Sequence, residues 1–429
     1  MTQPVNDQQP TERARPGHLG RLLASTGVSI AGQGMVTAAV PLLAASLTRD
    51  PFAVSVVAAA TYAAWLVVGL PAGTLVDRWP RRLTMVVADI VRAALLAGLS
   101  VGLLAHKLTL PALVVVVFLI GAAGCFFEPA AQASIPNLVG RYKHRLASAN
   151  SRIWTLDILG RSLIGPPVGA ALFAIGTVLP FGANAVTFLV SAVLLSGLRQ
   201  LGRPASDAEP MPVRHSLVEG VRYLAKHPEL RALTVGMGAY NLAYNTAFAT
   251  LVLFAQDRLH LDDRGFGFLL SMLAVGGLMG GWLAPRVNRW LTARRVYAVG
   301  LLLQAVAWLM VVLVARPLVS GVALVILGFA SMIVTVVGGT ARQSLTPDRL
   351  LGRISAGARV IGIGTAAIGA LMGGSIARAM SLPSAFYTAA IIAGVAAIGF
   401  WAASFRSPSK ALADPSTASP SIGEHPPKV

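Results

Sequence analysis

Twelve long apolar runs dominate the sequence, and they leave the chain one environment in which to fold. They lie at 22–46, 52–76, 83–105, 111–135, 150–175, 179–198, 231–255, 265–284, 296–315, 318–341, 354–379 and 383–404. About 20 apolar residues in a helix cross a hydrocarbon core of about 30 Å. In hydrocarbon only helices and closed barrels satisfy every backbone polar group, and a membrane strand needs about half this length. The expected fold is an all-α membrane protein with the lipid bilayer as its solvent. Composition agrees: of 429 residues, 55% are hydrophobic and only 12% charged, where a soluble domain carries about 25% charged residues.

The formal net charge of +18 raises the possibility of a nucleic-acid partner. Its placement argues against one, because the basic residues sit in short connectors between apolar runs. Lys and Arg collect in cytoplasmic loops of membrane proteins. With the N-terminus inside, the cytoplasmic segments hold about 27 basic residues and the outer ones about six, namely Arg49, Lys107, Arg258, Arg264, Arg316 and Arg378. Both termini are therefore expected in the cytoplasm, with an even number of spans. No cleavable leader is expected, and Cys125 has no intrachain partner for a disulfide.

The expected organisation is an N-terminal tail (1–20), a six-helix bundle (21–198), a cytoplasmic linker (199–230), a second six-helix bundle (231–404) and a disordered tail (405–429). The linker contains SLVEGVRYLAKHPEL, in which Leu217, Val221 and Leu224 share a helical face. An amphipathic helix at the inner membrane surface is expected there. The two halves echo each other. GTLVDR at Gly73 matches GWLAPR at Gly281, and QASIP at Gln132 matches QSLTP at Gln343. Gly160, Gly165 and Gly169 match Gly364, Gly369 and Gly373. Three matches in order at nearly one offset imply a duplicated unit in parallel orientation. Such transporters place the substrate near the midplane between the repeats.

The connector between spans two and three reads GTLVDRWPRR, Gly73 to Arg82. Gly73 permits close helix approach. Asp77 at a helix C-terminus is unfavourable there unless arginines or a neighbouring helix N-terminus stabilise it, as one state of a two-state element would. The stretch resembles the cytoplasmic motif of the major facilitator superfamily, G-x-L-x-D-R-x-x-R-R. The resemblance extends over about residues 20 to 405 and implies the major facilitator fold: twelve transmembrane helices in two pseudo-symmetric six-helix halves. It also implies that Gly73, Asp77, Arg78, Arg81 and Arg82 form a conformational gate holding the outward-facing state. The second copy has Pro285 in place of the acid, so the first latch is expected to dominate.

Span five reads GRSLIGPPVGAAL. Gly160, Gly165, Pro166 and Gly169 resemble the motif that marks exporters within the superfamily, although small-residue packing accounts for such spacing in any bundle. FFEPAAQASIPNLV, LASAN and LTPDRLLGRISA are similar to the bacterial exporters that include macrolide efflux pumps and the enterobactin exporter. That resemblance implies an inner-membrane protein moving amphipathic small molecules outward against protons; a monomer is expected. Siderophore or metabolite export is the alternative, ahead of uptake or a non-transporting sensor.

Ionisable residues inside spans are functional candidates. Asp89 and Arg92 are three apart, Asp157 and Arg161 four apart, and each pair can meet on one helix face. The first reads best as a structural ion pair. Glu128 has no partner in its own helix and is the leading candidate for carrying protons, followed by Asp157 and then Asp89. Gln33 stands in span one, and Asn184 in span six, where relatives often carry an acid. Polar stripes at Ser29 and Gln33, and at Tyr240, Asn241, Tyr244 and Asn245, are expected to face the bundle interior, as interhelical bonds or as walls of a substrate cavity. No P-loop, metal motif or catalytic constellation is present in the sequence, so neither an enzyme nor a cofactor is expected.

Overall fold

A computed structural model describes residues 16–76, 78–139, 143–198, 213–347 and 350–406. Among them every regular element is helical. The first half comprises α1 (Pro16–Leu47), α2 (Pro51–Val76), α3 (Arg81–Leu104), α4 (Leu110–Val139), α5 (Lys143–Leu156), a π-helical segment (Asp157–Ile164), α6 (Gly165–Ile175) and α7 (Leu179–Ser196). A connecting helix α8 (Val213–Lys226) precedes the second half. That half comprises α9 (Pro228–Phe248), α10 (Leu251–Asp257), α11 (Asp263–Trp290), α12 (Ala293–Val314), α13 (Pro317–Leu345), α14 (Leu351–Ala379) and α15 (Leu382–Arg406). Among the described residues, eleven helical stretches are long and apolar enough to cross a membrane, α5 to α6 counting as one. The pair α9–α10 makes the remaining traverse. The first and last described helix ends thus lie at the same end of the bundle, here called the terminal end.

Two spans depart from simple helices. Span seven breaks at Thr250, between α9 and α10. Asn241, Asn245, Thr246 and Thr250 all bond back to carbonyls of their own segment at 2.7–3.2 Å, and such bonds compete with the helical ladder. Span five is π-helical immediately before Gly165-Pro166-Pro167. The two prolines lack N–H groups, and the carbonyl of Leu163, four residues before Pro167, accepts instead from Ser271 Oγ of α11 at 2.9 Å.

Glycine sets the approach of the helices. A Cβ on Gly165 would overlap Gly34 of α1, and one on Gly169 would overlap the Met35 carbonyl. The second half repeats this: Gly369 and Gly373 of α14 lie on the carbonyls of Leu242 and Thr246 in α9. The spacing shared by the two halves serves equivalent helix contacts. Gly364, the third member of the repeat, faces open space.

The halves meet away from the terminal end. There Tyr62 Oη donates to Asn245 Oδ1 at 2.7 Å, Gly374 of α14 rests on Ser55 and Pro51 of α2, and Gly267 of α11 rests on Pro166 and Ala170. Arg49 bonds Gln256 at 2.7 Å and pairs with Asp257 at 3.6 Å, while Asp50 pairs with Arg378 at 3.4 Å. These contacts join the two halves and close the cleft in this region. The connecting helix α8 packs on α14: Leu224 is buried with Leu350, just before α14, and with Ile354 and Ala358 within it, while Val221 stays 37% exposed, and Glu219 pairs with Arg353. Of the expected tails (1–20 and 405–429) residues 1–15 and 407–429, and of the expected linker (199–230) residues 199–212, lie outside the described residues.

Candidate substrate site between the halves

Two cavities, each of about 360 Å³, lie between the halves. The first is bounded by α1 to α4, α9 and α11; the second lies between span five and α9, α11 and α13. They share Thr37, Arg161, Phe248 and Leu270. Arg161 therefore stands at their junction. It projects from the π-helical segment, whose wider turn is set by the prolines that follow.

Arg161 serves two carboxylates. Its Nε lies 2.9 Å from Asp157 Oδ1 in its own span, and Nη2 lies 3.3 Å from Glu128 Oε1 of α4. All three side chains are about one third exposed, toward the cavities. Glu128, without a partner in its own helix, finds one across the bundle. The Asp89–Arg92 pair is different. It is 3.5 Å long with both partners buried, and the guanidinium sits 5.1 and 5.2 Å from the ring centres of Phe127 and Phe188. Asp89 borders neither cavity, whereas Arg92 reaches the wall of the first.

The six polar residues expected at the cavity divide. Gln33 and Asn245 line the first cavity and Tyr244 the second. Ser29 is buried and accepts from Gln33 Nε2 at 3.5 Å. Tyr240 is buried on the far side of α9, where Oη donates to the Leu327 carbonyl at 3.4 Å. Asn241 donates to the Met237 carbonyl at 3.0 Å and faces Gly362 of α14. None of these three borders either cavity. A one-residue step on a helix turns a side chain by about 100°, which separates Tyr240 and Asn241 from Tyr244 and Asn245. Sequence reasoning missed Tyr62, the cross-half partner of Asn245. Its signal was a hydroxyl-bearing pair, Thr61-Tyr62, amid alanines. Arg359 lies inside α14, two turns from its start, within the apolar run 354–379.

At the terminal end, Asp77 lies outside the described residues. Arg81 Nη1 donates to the Ala133 carbonyl of α4 at 2.6 Å. Arg78 is exposed and Arg82 half-buried. Nothing lies within 4 Å of a Cβ built on Gly73. Gly160, Gly165, Pro166 and Gly169 form the seam of span five, with α1 on one side and, at Pro166, α11 on the other.

The profile of the Major Facilitator Superfamily matches residues 22–357. The multidrug efflux pump Tap of Mycolicibacterium fortuitum is 27% identical over 368 residues, 83% of this chain and 88% of Tap. The enterobactin exporter EntS of Escherichia coli strain 536 is 28% identical over 372 residues, 82% of this chain and 84% of EntS. Among solved structures, a bacterial homolog of the human lysosomal transporter Spinster, inward-facing and occupied, superposes with a TM-score of 0.73 at 15% identity, covering 93% of this chain and 98% of that one. A variant of the nucleoside transporter NupG gives 0.74 at 11% identity, covering 90% and 99%.

Proposed function

The chain belongs to the major facilitator superfamily, a multi-pass membrane transport protein and not an enzyme, and from that premise we propose that it exports amphipathic small molecules, antibiotics and dyes among them, in exchange for protons. The observation that carries this reading is the junction at Arg161: two partly exposed carboxylates share one guanidinium where both cavities between the halves meet. A carboxylate whose cation is shared and whose surroundings are apolar can take up and release a proton as the cleft changes sides. Glu128 leads for that role because it joins α4 to span five, so its ion pair is the one that relative helix movement can break. Asp157 is second. Asp89, buried against Arg92, is the weakest of the three.

The host is a bacterial cytoplasmic membrane, with the terminal end inside by the distribution of Lys and Arg. The cleft is then open to the cytoplasm and sealed outside, the state that loads cargo for export. Gly73 lies five helical turns from Ser55 on the same face of α2, and Ser55 is the residue that meets α14 at the sealed end. When the terminal end closes, Gly73 meets α14, and the connector Asp77 to Arg82 holds that state. The names of the relatives support export: Tap is an efflux pump and EntS an exporter. The protein acts as a monomer, each chain holding a complete cleft.

The experiment is accumulation of a panel of amphipathic antibiotics and dyes in cells with and without the protein, before and after collapse of the proton gradient. Lower accumulation that vanishes with the gradient is expected. Higher accumulation overturns the direction, and gradient-independent export overturns the proton coupling. If only siderophores or metabolites move, the alternative cargo holds.

A further inference from the structure

The connector between α11 and α12 is basic and has no acid of its own. From Pro285 to Arg295 it holds Arg286, Arg289, Arg294 and Arg295 and neither Asp nor Glu. It is the second copy of the sequence at Gly73, with Pro285 in the place of Asp77. Arg294 pairs with Glu229 at 2.8 Å. Arg286 and Arg289 are exposed, and among the described residues neither makes an ion pair or a hydrogen bond to the protein. Arg286 is held instead over the ring of Trp282, 4.3 Å from its centre.

Trp282, Arg286 and Trp290 follow at four-residue steps, so they share one face of α11. The two rings are 71% and 81% exposed. This face is turned away from α13, where Gly276 and Gly280 pack, and from span five, where Gly267 packs. Phe268 and Met279 continue it, and both are exposed. It is the face of α11 that meets lipid. Counted from Asp263 at the sealed end, a rise of 1.5 Å per residue puts Trp282 about 28 Å along the helix, Arg286 about 35 Å and Trp290 about 40 Å. The hydrocarbon core is about 30 Å thick, so the three side chains fall at its terminal-end border and in the headgroup layer, where Trp collects.

Arg289, in the last turn, offsets the partial negative charge of the helix end. Arg286, one turn earlier, keeps its N–H edge open, because a guanidinium resting on a ring face still presents that edge to an acceptor. The acceptor at this depth is a lipid phosphate, and a headgroup with net negative charge is favoured over a zwitterion, whose own ammonium competes with the arginine. We propose that Trp282, Arg286 and Trp290 form a site for the headgroup of an anionic phospholipid, with the phosphate on Arg286 and the rings against the glycerol and the upper acyl chains. The lipid supplies the negative charge that this copy of the connector lacks. The site lies outside the cleft and does not depend on what the protein carries.

The test uses the purified full-length protein in phosphatidylcholine nanodiscs doped with a photoreactive phosphatidylglycerol or, separately, with a photoreactive phosphatidylcholine of the same acyl chains. Labelled peptides are identified by mass spectrometry. The phosphatidylglycerol should label residues 282–290 at least about fivefold more than the phosphatidylcholine, the gain from one cation at a membrane surface. Arg286→Gln should remove that preference, and Trp282→Leu should reduce it. Labelling of Ile391, Val395 and Ile398, exposed on α15, should stay the same in both variants and marks them as folded. Unlabelled phosphatidylglycerol should suppress the labelling at 282–290, and millimolar inorganic phosphate should not. Equal labelling by the two lipids overturns the proposal, as does a preference that survives Arg286→Gln while the α15 labelling is unchanged. Suppression by inorganic phosphate would assign the arginine to a free anion and overturn the lipid site.

Discussion

At the residue scale, Glu128 and Ser271 carry the sharpest consequences. Glu128→Gln keeps shape and removes the charge that can hold a proton. Flux down a substrate gradient should persist, while flux driven by a pH gradient should fall by at least about tenfold, the measure of a step that has lost its driving ion. Proteoliposomes with an imposed pH difference read both, and undiminished proton-driven flux removes Glu128 from the role. Ser271→Ala deletes the only donor found for the Leu163 carbonyl among the described residues outside its own span. A hydrogen bond of about 1 kcal/mol that exists only while the two halves touch there shifts the two-state balance about fivefold toward opening of the sealed end. Spin-label distances across that end check it. Part of this scale was legible in the sequence. The Asp157–Arg161 pair follows from four-residue spacing, because both members lie on one helix. The Glu128–Arg161 contact and the Tyr62–Asn245 bond join helices far apart in sequence, and no periodicity within one helix points to a partner on another.

At the element scale, hydropathy locates the spans well, because solvent alone dictates where a helix must be apolar. It says nothing about breaks inside a span. The π-helical segment arises from two missing N–H groups and from packing against α1, and the break at Thr250 from side chains bonding to their own backbone. The glycine repeat could be read as a packing seam, and its partner helix is what three dimensions add: α1 for span five, α9 for α14. This yields a paired prediction. Gly373→Val forces a side chain into the Thr246 carbonyl, and overpacking of this kind costs about 1–3 kcal/mol. Gly364→Ala, in open space, replaces the poorer helix former by the better one. The melting temperature of the purified protein should drop for the first and hold or rise for the second. A similar drop for both would mean that the repeat is sensitive for a reason other than close approach.

At the scale of the whole molecule, the question is what the contacts between the two halves contribute where they meet. Burial contributes through Ala59, Ala249 and Ala370, which form a small cross-half cluster. Beside it, the consecutive residues Arg49 and Asp50 reach to opposite corners of the second half, to Asp257 and Arg378. Sequence counting had placed these arginines on the outer side and assigned them only to topology. Each pair is well exposed, with side-chain exposures of 60% and 46%, and of 63% and 32%, so each contributes only about 0.2–1 kcal/mol and is screened by salt. A transporter needs its two states close in free energy, and in that setting two such pairs matter. Removing both with Arg49→Gln and Asp50→Asn should shift the population toward the state open at this end by roughly twofold to thirtyfold at low ionic strength. The shift should shrink as salt is added. Folding should be untouched, because neither pair is buried. Reversing one pair, Arg49→Glu with Asp257→Arg, should recover part of the closed population, whereas Arg49→Glu alone should open it further by setting two acids together. The readout is labelling of a cysteine placed behind the seal, in a Cys125→Ala background, by an impermeant thiol reagent at low and high salt. Labelling that ignores both the substitutions and the salt would mean that the apolar contacts of α2 with α14 and of span five with α11 seal the end by themselves.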